Sequence, residues 1–173
     1  MLFRSAKAGR RVILVGIISI LLSTSSTAQS QQKGGTHGRS LFPPSDLGLL
    51  EAPDRDLWQR PDQIMDAMGI ADASVVADIG AGSGWFTVRL ARRVGPQGLV
   101  YAEDVQQAML TAISRRVGRE GFNNVRTVLG LKNDPRLPAA SLDAVLVVDA
   151  YQEIEDRVSI LTNLAKEIGR AHV

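Results

Sequence analysis

Three glycines at regular spacing follow a hydrophobic stretch. Val75 to Phe86 reads VVADIGAGSGWF, with Gly80, Gly82 and Gly84 two residues apart and Asp78 two residues before the first. Glycine at such a point lets the chain turn sharply and lets its backbone approach a ligand closely. A dinucleotide loop, G-x-G-x-x-G/A, would need a small residue sixth from Gly80, where Trp85 stands. A P-loop would end in Gly-Lys-Ser/Thr, and none follows. The next hydrophobic run ends at Asp104, twenty residues past Gly84. An acid at that strand end can accept both hydroxyls of a ribose. Its neighbour Glu103 alternates to the other side of the strand and is the weaker candidate.

Other chemistries find little support. The chain has no cysteine, which excludes disulfides and thiolate metal sites. Its two histidines, His37 and His172, stand in poor contexts, so no metal site is expected.

The elements that must position these residues follow from periodicity and turn signals. Pro61 and Asp62 suit the start of a helix that Gly69 ends. A strand is predicted over Ser74 to Ile79, and a helix over Trp85 to Val94 with Phe86, Leu90, Ala91 and Val94 on one face. Then come a strand from Leu99 to Ala102, a helix from Gln106 to Arg119, and strands over Val125 to Leu129 and Leu142 to Val148. The last strand is apolar on both faces. Asp156 caps a helix from Arg157 to about Ile168. Strands alternating with helices predict an α/β fold, a doubly wound, mainly parallel sheet covered on both faces. In such a sheet, ligands sit beyond the C-terminal strand ends near a switch in strand order.

The order acid, one residue, then G-x-G-x-G resembles the first motif of class I S-adenosylmethionine-dependent methyltransferases. The wider pattern, WQRPDQIMDAMGI through LVVDAYQEI, resembles bacterial methyltransferase-domain proteins that carry export signals, and spans about Trp58 to Lys166. The resemblance implies a Rossmann-like fold and S-adenosyl-L-methionine as cofactor. It implies that Asp78, Gly80, Ala81, Gly82 and Gly84 form the methionine side of the pocket. Asp104 would hold the ribose, and Asn133 and Asp134 would line the adenine. Read on their own, Asp134 can equally serve the turn before Pro135, and Asp149 can cap a loop. The segment Asp149 to Glu153 would face the acceptor. Tyr151, Gln152 and Glu153 are candidates there by location only, and no catalytic residue is assigned. The related group is expected to have a histidine where Gln152 stands. The family domain has seven strands, of which this chain supplies about four, so an incomplete domain over 55–173 is expected. The acceptor is open between a small molecule, a lipid head group and a protein side chain. A non-catalytic, exported binding or scaffold domain is the alternative.

The N-terminal region reads differently. Arg4, Lys7, Arg10 and Arg11 precede an apolar run from Val12 to Leu22, with Ser26 and Ala28 placed for cleavage. That is the layout of a secretory signal over 1–28, predicting export to the periplasm; an uncleaved membrane anchor is the alternative. Residues 29–54, rich at first in Gln, Gly, Ser and Pro, read as a flexible lead-in. Removing 1–28 takes four basic residues and no acidic one, which turns the net charge of +2 into −2. Nucleic-acid binding is therefore not expected, and membrane contact only through the N-terminal segment. Met1 to Ser5, with a GTG start, can be encoded by a DNA string that is the reverse complement of part of one that can encode Glu167 to Val173, and that shared part matches a sequencing-library adapter. Both ends are thus expected to be foreign to the gene, whose own segment would run from about Ala6 to Lys166.

Overall fold

The computed structural model describes residues 12–14 and 41–168. Five strands form one parallel sheet: β1 (Val12–Leu14), β2 (Val75–Ile79), β3 (Leu99–Asp104), β4 (Val125–Leu129) and β5 (Ala144–Val147), in the order β1-β5-β2-β3-β4. The helices are α1 (Arg55–Gln59), α2 (Pro61–Ala67), α3 (Trp85–Val94), α4 (Gln107–Glu120) and α5 (Arg157–Glu167). This is the predicted α/β architecture, and all four expected strands belong to the sheet, β4 at its edge. Among the described residues, no helix is long and apolar enough to cross a membrane.

Alternation along the strands divides the core. Val76, Val100, Ala144 and Leu146 face α3, where Phe86, Leu90 and Val94 pack, together with Met65 and Met68 at α2. Ala77, Ile79, Tyr101, Val145 and Val147 face the other way, onto Ile160 and Leu164 of α5. β2 and β5 are largely buried because helices cover both faces, whereas β4 at the edge is partly exposed. At the start of α5, Asp156 caps as expected, its Oδ1 accepting from Ser159 N at 3.0 Å.

Two differences from the sequence reading matter for the site. The helix expected to begin at Pro61 is preceded by α1, and the two break at Arg60, which has φ 46° and ψ 60°. The residue before a proline is disfavoured in the α region, so the helices cannot run on continuously. Secondly, the lead-in expected to be flexible over 29–54 has defined structure from Leu41 onward. Pro44–Leu50 forms a 3-10 turn laid across the C-terminal ends of the strands. Within the predicted export signal, Val12–Leu14 pairs with β5 at the sheet edge. The rest of that segment, residues 1–11 and 15–28, and residues 29–40 of the lead-in lie outside the described residues, as do residues 169–173.

Candidate functional site

β2 has β3 on one side and β5 on the other, so the chain order reverses there. A crevice opens at the C-terminal ends of such strands. It holds a cavity of about 400 Å³, within the usual range for small-molecule sites.

The glycine loop forms one wall. Gly80, Gly82 and Gly84 all have positive φ, at 64°, 54° and 77°. A Cβ at Gly80 would come within 2.3 Å of the Ala150 side chain, so the loop and the segment after β5 touch through the missing side chain. Beneath the loop, Asp78 is buried and its Oδ2 accepts from Thr87 Oγ1 at 2.7 Å. Burial pushes the Asp78 carboxyl up to about 6, with the Thr87 hydrogen bond opposing.

The tip of β3 forms the second wall. Asp104 accepts from Gly82 N at 3.1 Å and from Gln106 N at 2.9 Å. Val105 N–H also bears on it, and an ionised carboxylate has about four acceptor directions, so these backbone bonds do not exhaust it. Burial raises Asp104, and its backbone hydrogen bonds pull it back. Glu103 sits on the opposite face of β3, as alternation requires, yet it also lines the cavity. Its Oε2 takes only a long hydrogen bond from Gly80 N, 3.4 Å, and burial pushes it up to about 8.

Of the sequence-predicted residues, Asp78, Gly80, Ala81, Gly82 and Asp104 line the cavity together. Gly84 does not; its open side faces Ile113 of α4, which lets the start of α3 pack closely. Asn133 and Asp134, expected at the adenine, are not on the cavity wall either. Their loop closes on itself through a Leu131–Asp134 bridge, and Asp134 Oδ1 accepts from Arg136 N at 2.8 Å. The Asn133 carbonyl accepts from Asn163 Nδ2 of α5. Leu131 and Lys132 of that loop reach the cavity instead. Among the residues after β5, Gln152 and Glu153 line it, and Tyr151 does not.

Several lining residues were missed in the sequence. Leu41, Phe42, Leu49, Leu50 and Ala52 come from the lead-in, and Arg55 and Trp58 from α1. The lead-in is fastened at several points. Phe42 N donates to Glu153 Oε2 at 3.2 Å, and Gln106 Nε2 donates to Phe42 O at 3.0 Å. Arg116 Nη1 donates to Glu51 Oε1 at 2.5 Å. The signal was present as apolar residues recurring in an otherwise polar stretch, LFPPSDLGLL.

A family model described as a methyltransferase domain matches residues 76–168. The chain belongs to that family, the class I S-adenosylmethionine-dependent methyltransferases. It is 28% identical over 107 residues to demethylmenaquinone methyltransferase of Geobacillus stearothermophilus, across 62% of this chain and 45% of that protein. It is 29% identical over 122 residues to a ubiquinone/menaquinone biosynthesis C-methyltransferase of Pasteurella multocida, across 67% and 43%. A solved structure of a SAM-dependent methyltransferase from Aquifex aeolicus superposes with a TM-score of 0.70 at 28% identity, over 75% of this chain and 69% of that one. The chain thus spans about half the length of the curated relatives it matches.

The site fits the family's cofactor, S-adenosylmethionine. Gly80 and Gly82 present bare backbone on the cavity wall, and the Asp104 carboxylate stands on the same wall. Ser83 Oγ is buried on the cavity wall and has no hydrogen-bond partner among the described residues. A buried hydroxyl of that kind is costly unless a ligand pairs with it.

Proposed function

We propose that this domain binds S-adenosylmethionine and directs its methyl group to an acceptor held in the same cavity. The observation that carries the reading is the junction of the glycine loop with Asp104 at the switch point. When bound, the cofactor supplies a sulfonium-activated methyl group. Asp104 would hold the ribose, and the Gly80–Gly82 backbone would border the methionine end. Leu131 and Met109, both on the wall, give the base apolar surroundings. The chain's task is then to align the acceptor and exclude water, so proximity and orientation dominate. The lead-in does the second job, covering the crevice with Leu41, Phe42, Leu49 and Leu50. A methyl-transfer assay on the whole protein with candidate acceptors tests this reading. Label appearing in any acceptor class supports it.

One observation favours binding without catalysis. Gln152 stands where related proteins are expected to carry a histidine, and its side-chain amide donates to the Asp149 carbonyl. The acceptor, whether small molecule, lipid head group or protein, is part of the proposal, with no nucleic-acid partner. So is export: the basic start and apolar run over 1–28 support a signal, with an uncleaved anchor as its rival. Pairing of Val12–Leu14 with β5 favours retention of that segment. Sequencing the mature N-terminus decides between them.

A further inference from the structure

The glycine loop and Asp104 belong to the cofactor in the methyltransferase reading. What remains of the cavity wall is chiefly the segment after β5 and the lead-in laid over it. The two parts of the wall meet at Gly80, where an added Cβ would come within 2.3 Å of the Ala150 side chain. Tyr151–Glu153 then forms a 3-10 turn, and Glu153 N donates to the Ala150 carbonyl at 2.9 Å. Glu153 thus stands one turn from the contact with the glycine loop.

Among the described residues, the cavity wall carries six acids, Asp78, Glu103, Asp104, Asp149, Glu153 and Glu155, and two cations, Arg55 and Lys132. Asp78 is bonded to Thr87 and Asp104 to the glycine loop, while Glu103 lies on the other face of β3. After β5, Asp149 faces Arg55 at 3.6 Å, and Glu155 pairs with Lys132 at 2.7 Å. Both cations are therefore engaged. Glu153 differs from its neighbours. Its Oε2 accepts from Phe42 N at 3.2 Å, no cation among the described residues pairs with it, and the charge that bears on it is another acid, Asp104. Leu41, Phe42, Leu49 and Ile154 give this side of the cavity an apolar surface. An apolar chamber with one uncompensated carboxylate disfavours an anion and suits a cation on an apolar body.

We propose that the methyl acceptor is the nitrogen of a small apolar amine, and that Glu153 selects it. This rests on the methyltransferase reading and names its substrate class. The amine docks as an ammonium and releases one proton to solvent. Its nitrogen lone pair then forms the bond to the methyl carbon, and the electron pair of the broken S–C bond stays on sulfur. Thioether and methylated ammonium result, so the positive charge passes from sulfur to nitrogen. A carboxylate beside that nitrogen stabilises the charge where it arrives. Gln152, an amide that cannot take a proton, is then no handicap. A lysine side chain offers the same nitrogen, but the lead-in is fastened over the crevice at Phe42 and Glu51, which favours a free molecule.

2-Phenylethylamine and 2-phenylethanol differ in the amine alone. Each is titrated calorimetrically into the whole chain saturated with S-adenosylhomocysteine. The amine should bind at least about 10-fold more tightly, the scale of a charge-assisted contact. Glu153→Gln should erase most of that preference and leave the alcohol and S-adenosylhomocysteine within about threefold. With labelled S-adenosylmethionine, label should enter the amine and not the alcohol. Equal or absent binding of the two probes, or a Glu153→Gln variant that keeps the preference, overturns the inference and leaves the methyltransferase reading intact. Label entering a lysine-containing peptide in preference to the amine overturns it as well. If Glu153→Gln does not fold, the wild-type comparison of amine with alcohol decides alone. A wild type that does not bind S-adenosylhomocysteine overturns both.

Discussion

The Gly82 N–H donates to Oδ2 of Asp104 at 3.1 Å, joining the loop after β2 to the tip of β3. Asp104 also receives Gln106 N at 2.9 Å, so one carboxylate orders the glycine loop and the start of α4. Asp104→Ala should therefore remove both a ligand acceptor and a loop anchor. Binding of S-adenosylhomocysteine is expected to fall at least about 10-fold, from loss of hydrogen bonds to a charged group. Titration of the variant checks this. Asp104→Asn, which keeps one acceptor, should lose less.

Gly80 admits no side chain. A methyl there meets Ala150 Cβ at 2.3 Å, on a backbone with φ 64°. Gly80→Ala should cost about 1–3 kcal/mol of stability through overpacking and strain, and should abolish ligand binding. Thermal melts paired with titration separate the two losses. A variant that binds normally would contradict the close approach of loop and β5 segment.

Thr87 holds the buried Asp78 by a 2.7 Å hydrogen bond that favours the charged carboxylate. Thr87→Val leaves that carboxyl without this partner, at a cost of about 1–3 kcal/mol. Because Asp78 ionises at about 6, the loss should be greater at pH 8 than at pH 5. Melts at the two pH values measure the difference.

Glu103 is raised by burial from 4.5 to about 8. Over that window the native state holds a proton that the unfolded chain has released, so this group's contribution to stability falls as pH rises. Glu103→Gln removes the dependence. The variant should be more stable than the wild type at pH 9, by at least about 1 kcal/mol or some 2–4 °C in Tm, and the gap should close toward pH 4.5. Parallel melting curves across pH would contradict a buried, proton-holding Glu103.

The glycine loop and Asp104 were legible because backbone geometry at a strand-to-helix turn demands those residue types at that spacing. β2 and β5 were legible because burial on both faces leaves continuous apolar runs, and β4, at the edge and partly exposed, from its β-branched residues between turn signals. Asn133 and Asp134 lie off the cavity wall because an Asn-Asp-Pro stretch serves turns as readily as ligands, and here Asp134 closes the turn onto Arg136 N. Arg55 was hidden because its partners, Leu50, Trp85 and Asp149, are distant or unremarkable in the chain and meet only through the fold. The lead-in was read as flexible from its polar composition. Its apolar residues, spaced through the 3-10 turn, line the crevice instead.

The most direct test of the central claim is a calorimetric titration of the whole chain with S-adenosylhomocysteine. One saturable site with a Kd of about 1–100 µM, lost on Asp104→Ala, is the predicted result. A folded protein that shows no heat of binding at millimolar ligand would contradict the assignment of this cavity.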